Sequence, residues 1–145
     1  MTTATVTTDI HIGPFIIPSN GQNMIMNNYA SRNKISVELV IPEPMKSNSL
    51  ATLQWIHEER KLNKVILCSI HQLPKNIKNF DILLKNMINV EFHFALEGVK
   101  GEGNDFLKNI YKEAEMFMKT KIIDSNNTTW LDLNKIYTDE EKQKN

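Results

Sequence analysis

The fold class rests mainly on the stretch Asn63–Ile70 (NKVILCSI). Its apolar residues run continuously instead of alternating with polar ones, which is typical of a strand buried on both faces of a parallel sheet. Pro74 breaks the chain soon afterwards, and apolar residues between Ile77 and Asn89 recur at helical spacing. The stretch therefore predicts a buried strand followed by a helix that covers the sheet.

Strand and helix patterns alternate along the rest of the chain. Three further predicted strands cover 9–17 (DIHIGPFII), 34–41 (KISVELVI) and 90–96 (VEFHFAL). Predicted helices cover 21–33, 50–61, 77–89 and about 105–121. This alternation predicts a three-layer α/β fold with a mostly parallel four-stranded sheet. Right-handed connections leave a flavodoxin-like strand order as the simplest solution.

The chain divides at about residue 121 into an α/β domain, 1–121, and a polar tail, 122–145. The apolar stripe of the long last helix either covers the sheet or pairs with a second copy. The tail carries a short segment that is predicted to dock onto the body or onto another subunit. Its apolar residues are Trp130, Leu131, Leu133, Ile136 and Tyr137. We therefore expect a homo-oligomer or a complex with a partner protein.

Composition limits the partners and the location. Lys plus Arg and Asp plus Glu both number 17 in the 145 residues, so the formal net charge is zero. A generic nucleic-acid binder has a basic excess, so we expect no nucleic-acid partner. No apolar run approaches the roughly 20 residues of a membrane span, and the start has no secretory pattern, so we expect a cytoplasmic protein. Cys68, the single cysteine, is expected to be a buried structural thiol.

Polar residues follow each predicted strand, at the edge where open α/β sheets bind ligands. The residues predicted to contact a substrate are Ser19, Asn20, Gln22, Glu43, His71, Gln72, Lys75 and Glu97. Lys46, Ser47, Asn48 and Ser69 lie beside them in the sequence. The spacing of Gly98, Gly101 and Gly103 matches no phosphate-binding loop and predicts a flexible turn. No grouping has metal-ligand spacing, so neither a metal nor a cofactor is expected.

The role of Ser19 stays open between a ligand hydroxyl, a nucleophile and a residue of the turn before a helix with Asn20 as N-cap. A serine nucleophile needs a general base or strong local electrostatic help, and none is evident. His71 is a candidate acid or base, although a lone histidine more often satisfies a local hydrogen bond. The catalytic residue, if there is one, is unknown among Ser19, His71 and Glu97.

The chain resembles the catalytic domain of serine recombinases over about residues 10–121. That family ends its first strand in Tyr-x-Arg-x-Ser with a Gln soon after, and FIIPSNGQN puts Ser19 and Gln22 at the serine and the glutamine. IHQLPK stands where the family has Leu-Asp-Arg-Leu-x-Arg, and FALEGV matches its fourth strand end. The family's phosphate-binding arginines are replaced by Ile17, Gln72 and Lys75. The resemblance implies a resolvase-like strand order without the charges that recombination uses.

The chain also resembles a family of small proteins from sporadically distributed bacterial carbohydrate-biosynthesis clusters. IGPFIIPSNGQN, SIHQLP and FHFALEGV carry that likeness. It implies a role in the biosynthesis of a surface sugar such as a nonulosonic acid, with a sugar or nucleotide-sugar bound at the strand ends. Whether the protein is an enzyme stays open. The alternative is a non-catalytic adaptor or regulatory subunit with a degenerate recombinase-like fold. A third, weaker possibility is residual nucleic-acid binding through Lys75, Lys78 and Lys85.

Overall fold

The computed structural model describes residues 2–44 and 48–127. The candidate residues Lys46 and Ser47 and the predicted docking segment of the tail lie outside these residues. Among the helices that are described, none is both long enough and apolar enough to cross a bilayer. The cytoplasmic location stays a prediction.

The described chain alternates short strands with helices. The strands are β1 (Thr3–Thr7), β2 (His11–Ile12), β3 (Phe15–Ile16), β4 (Leu39–Pro42), β5 (Lys64–Leu67), β6 (Glu91–Phe94) and β7 (Val99–Gly101). The helices are α1 (Ser19–Arg32), α2 (Ala51–Arg60), α3 (Ile77–Asn86) and α4 (Asn104–Asn127). A single 3₁₀ turn, Ile70–Gln72, follows β5.

The main sheet has five strands in the order β4-β1-β5-β6-β7, and β7 alone is antiparallel to its neighbour. The four parallel strands keep the predicted flavodoxin-like order. The prediction of four strands is wrong because the segment after β6 turns back at Gly98, where φ is +67°, and pairs as an edge strand. Gly101, predicted to belong to a flexible turn, lies in that strand against the ring of Phe106.

The first strand is Thr3–Thr7, and its prediction at 9–17 is wrong. Threonine and valine favour extended backbone because they branch at Cβ, and all five residues of this strand are buried between β4 and β5. Gly13 and Pro14 interrupt the segment 9–17, which forms the small β2–β3 hairpin outside the main sheet. The apolar residues of that segment had made it the more obvious strand.

Two apolar cores lie on opposite faces of the sheet. Val65, Leu67 and their neighbours pack against α2, α3 and α4, whereas Ile66 and Cys68 pack against α1 and the hairpin. This alternation is why the run is apolar throughout. Burial raises the pKa of the Cys68 thiol to about 11, as expected of a structural cysteine.

The α4 stripe covers the sheet along its first three turns. Leu107 and Ile110 are buried in the larger core, and Tyr111 and Ala114 pack against it. Met116 and Phe117, one to two turns further on, are exposed. Pairing of two copies through this helix stays a prediction.

Candidate functional site

Gln22 holds the end of β1 in place. Its side chain is fully buried in the first turn of α1. The amide oxygen accepts a hydrogen bond from the backbone N–H of Thr8 at 2.9 Å. The amide nitrogen donates to the carbonyl oxygens of Ile17 at 2.9 Å, Asp9 at 3.1 Å and Thr8 at 3.3 Å. Gln22 is therefore at the predicted strand-end site, where it ties β1, the hairpin and α1 together.

A second amide continues the network across the sheet. Gln72 Nε2 donates to Thr8 Oγ1 at 2.8 Å and to the Val6 carbonyl at 3.4 Å. Its Oε1 accepts from the backbone N–H of Ser69 at 3.0 Å. Because β1 and β5 are adjacent, this single side chain joins the carboxyl ends of both strands.

Glu97 closes the network at the third strand end. One carboxylate oxygen accepts from the Ser69 hydroxyl at 2.8 Å and the other accepts from the backbone N–H of Ile70 at 2.8 Å. The structure thus brings together three of the predicted site residues, Gln22, Gln72 and Glu97. Thr8 and Ser69 link them.

His71 lies beside this network in an aromatic setting. Its ring centroid is 6.0 Å from that of Phe15 in the hairpin and 5.2 Å from that of Phe117 in α4. The hairpin approaches so closely that a Cβ atom on Gly13 would lie 2.5 Å from His71 Cγ. Burial, and secondarily the charge of Lys75, lower the pKa of His71. The ring is therefore neutral at physiological pH and serves as a packing surface for the hairpin and α4.

We expect the protein to lose stability as the pH falls from 7 to 5. Burial lowers the folded-state pKa of His57, His71 and His93, so the unfolded chain binds more protons through this range and acid favours unfolding. His71→Gln should flatten the pH dependence of the free energy of unfolding, measured by denaturant titration at each pH. His11→Gln, at an exposed position, is the control, and an equal flattening in both variants would contradict this role of His71.

The remaining predicted residues lie outside the network. Glu43 accepts hydrogen bonds from the backbone N–H groups of Leu53 at 2.7 Å and Thr52 at 3.4 Å, so its carboxylate stabilises the start of α2. Ser19 and Asn20 are exposed in the first turn of α1.

The prediction that Asn20 caps α1 is wrong, because Pro18 stands at the N-cap and makes no side-chain hydrogen bond there. Proline has a fixed φ that suits a helix start.

Lys75 is exposed, and its backbone N–H donates to Asn48 Oδ1 at 2.7 Å. These two residues stand at the rim of the site.

The polar side-chain atoms of the network are already hydrogen-bonded within the protein. Both carboxylate oxygens of Glu97 are engaged, the amides of Gln22 and Gln72 are engaged at both ends, and His71 contacts aromatic rings. No hydroxyl of the network is hydrogen-bonded to an imidazole, the pairing that activates a nucleophile. Within residues 2–44 and 48–127, no group of acidic, histidine or cysteine side chains is suited to hold a metal ion.

The sequence patterns did not indicate two sets of residues at or near this edge of the sheet. Thr8 was missed because the first strand was misplaced, and the stretch Thr2–Thr8, β-branched at every position except Ala4, was the signal that could have found it. Tyr29 and His93 form a second buried pair at a Tyr29 Oη–His93 Nδ1 distance of 2.7 Å. His93 lies in β6, and no spacing rule in the sequence links it to a tyrosine on α1.

Comparison with known proteins finds matches among solved structures. No family model matches the chain, and no curated protein matches its sequence significantly. The N-terminal catalytic domain of TP901-1 integrase superposes with a TM-score of 0.58 at 14% identity, covering 83% of this chain and 99% of that one. A resolvase family site-specific recombinase from Streptococcus pneumoniae gives a TM-score of 0.56 at 13% identity, covering 88% of this chain and 94% of that one. At these identities the likeness shows the fold.

These neighbours confirm the distant resemblance to the serine recombinase catalytic domain and correct two predictions. The predicted role in carbohydrate biosynthesis is wrong, since the matched structures are an integrase and a recombinase and nothing sugar-related supports it. The predicted partners, a sugar ligand and no nucleic acid, are wrong for the same reason. The prediction had followed short motifs shared with the sugar-cluster family, and such motifs fit the strand ends of many α/β proteins.

Proposed function

We propose that this protein binds DNA as a domain of the recombinase type and does not cut it. The observation that carries the proposal is the superposition of the chain on nearly the full length of two solved chains whose names describe integration and site-specific recombination. The order and direction of the strands match a fold used for DNA rearrangement. The residues at the strand ends then decide which part of that activity is supported.

The corrected first strand changes the correspondence with the recombinase pattern. Tyr-x-Arg-x-Ser, aligned on the end of β1, falls on Thr3-Ala4-Thr5-Val6-Thr7, so a hydroxyl stands at the serine position in Thr7. Thr7 is only 6% exposed, and Thr5, at the arginine position, is buried with no hydrogen-bond partner for its hydroxyl among the described residues. Ser19 is then the start of α1 and not the counterpart of the nucleophile.

The phosphate-stabilising charges are also reduced. Gln72 replaces one arginine, and both ends of its amide are engaged within the protein. Lys75 replaces another and keeps a single positive charge at the rim. A lysine attracts a phosphate but lacks the bidentate fork of a guanidinium. Binding without strand cleavage follows from this combination.

Two of the three lysines that the sequence suggested for nucleic-acid binding lie at the same edge of the sheet as the strand-end network. Lys75 precedes α3 and Lys78 lies in its first turn, and both are exposed. Lys85 lies near the other end of α3, about 10 Å further along the helix axis than Lys78. Because the net charge of the chain is zero, its attraction to DNA depends on a few local positive charges. The contribution of a single lysine to DNA binding is therefore measurable.

We expect the purified protein to retard duplex DNA at low salt and to release it as salt is added. Lys75→Ala should weaken binding several-fold and reduce the slope of log K against log salt by about 1, because one phosphate contact is lost. Lys85→Ala is the matched control and should leave both quantities unchanged. Fluorescence anisotropy across a salt series measures them.

Two results would contradict the proposal. Unchanged DNA mobility at low salt would remove the nucleic-acid partner, and equal effects of Lys75→Ala and Lys85→Ala would remove the assigned surface. Incubation with supercoiled plasmid should give neither nicked circles nor a covalent protein–DNA adduct. Either product would overturn the absence of cleavage, and Thr7→Val would then identify the attacking hydroxyl.

A further inference from the structure

A second polar surface lies on the α1 face of the sheet and shares Glu97 with the strand-end network. A groove of about 490 Å³ runs between the end of α1 and the β6–β7 turn. Arg32 lies on its α1 side and Lys100 on its β7 side, and Tyr29 contributes to its lining. We refer to this groove as the Arg32–Lys100 groove.

The two cations of the groove are available to a ligand. Both side chains are exposed, and the ion pairs among the described residues join other groups, His93 to Glu91 and Lys119 to Glu115. Glu97 also borders the groove, but each of its carboxylate oxygens accepts a hydrogen bond from the 3₁₀ segment. The groove therefore has an excess of positive charge facing solvent.

A buried pair of titratable side chains lies below these cations. The Tyr29 hydroxyl is hydrogen-bonded to His93 Nδ1 at 2.7 Å. Nε2 lies 2.8 Å from Glu91 Oε1 but is not aligned for a hydrogen bond with it. His93 is 2% exposed and shares a face of the sheet with Lys100, its register partner on β7.

We propose that the Arg32–Lys100 groove binds a phosphate group between the guanidinium and the ammonium, above the buried Tyr29–His93 pair. Guanidinium and ammonium are the side-chain groups that proteins use for phosphate, and here they come from two separate elements that face one groove. The groove lies on the α1 face of the sheet, whereas Lys75 precedes α3, which packs on the opposite face, so phosphate binding here is separate from DNA binding at Lys75. The phosphate belongs either to a small monoester or to a nucleic-acid backbone.

His93 supplies an internal reporter of this binding. Burial lowers its pKa most, Lys64 and Lys100 lower it further, and Glu91 opposes them. Tyr29, on α1, is the remaining titratable group in contact with the ring, and its own pKa is raised by burial. A phosphate bound beside Lys100 offsets that positive charge, so the pKa of His93 should rise on binding.

The experiment is an NMR titration of the full chain, observed at the His93 ring and the backbone around the groove. Inorganic phosphate is the probe in one arm and a short DNA duplex is the probe in the other. Arg32→Gln and Lys100→Gln should each weaken binding of the active probe about tenfold, because each removes a charge-assisted hydrogen bond. Lys85→Gln is the control and should have no effect.

Each outcome decides a separate point. Saturation by inorganic phosphate with a raised His93 pKa supports a site for a small phosphate compound. Saturation by the duplex alone, with the same dependence on Arg32 and Lys100, supports the site and assigns the phosphate to nucleic acid. Absence of any shift at His93 with both probes, or an equal loss in Lys85→Gln, overturns the proposal. Lys100 lies exposed on an edge strand, so its variant remains informative if Arg32→Gln fails to fold.

Discussion

Gln22→Ala should lower the free energy of unfolding by about 3–4 kcal/mol, because it strands several partly buried backbone groups at once. The amide of Gln22 bonds one N–H and three carbonyl groups from the end of β1, the hairpin and the start of α1. A buried polar group that loses its partner costs about 1–3 kcal/mol, and the small alanine also leaves a cavity. Thermal and denaturant unfolding followed by circular dichroism measure the loss.

Asn27→Ala is the matched control, since Asn27 is an exposed amide in the same helix. It should change the free energy of unfolding by no more than about 0.5 kcal/mol. Gln22→Glu separates hydrogen bonding from volume, because a carboxylate keeps the acceptor for Thr8 N–H and loses the donor to the three carbonyls. If Gln22→Ala were as stable as the control, the strand ends would be held by something other than this amide.

The layers of the fold could be predicted because they depend on periodicity. The continuous run 63–70 required a strand covered on both faces, and the helical stripes in 77–89 and 105–121 supplied one cover. The first strand escaped because threonine is polar by composition and still suits a buried strand when its hydroxyl is satisfied or tolerated. Pairing between strands is a non-local property, so the edge strand β7 was not visible in a segment of glycines and charges.

The site was predictable in part for a similar reason. The rule that polar residues converge beyond the carboxyl ends of parallel strands correctly brought Gln22, Gln72 and Glu97 together. It did not reveal that Thr8 and Ser69 link these side chains or that their polar atoms are engaged within the protein, since hydrogen-bond partners depend on side-chain geometry. Ser19 was chosen because a strand was placed before it. With the strand ending at Thr7, the same rule selects Thr7 and Thr8.

Gly13→Ala should destabilise the protein by about 3 kcal/mol and open the β2–β3 hairpin. Gly13 has a φ of +56°, a conformation that costs an L-residue about 1–2 kcal/mol. A Cβ atom there would also lie 2.5 Å from His71 Cγ and 2.7 Å from His71 Cβ. Because His71 is held between Phe15 and Phe117, its ring has little room to retreat, and the hairpin must move instead.

Gly98→Ala separates the two causes. Gly98 has a similar φ of +67°, but a Cβ atom there would meet nothing within 4 Å, so its substitution measures backbone strain alone, about 1 kcal/mol. The excess loss in Gly13→Ala then measures the contact with His71. Limited chymotrypsin digestion should cut after Phe15 faster in Gly13→Ala than in Gly98→Ala, since the opened hairpin exposes that bond. Equal stability and equal cleavage in the two variants would mean that the hairpin does not pack on His71.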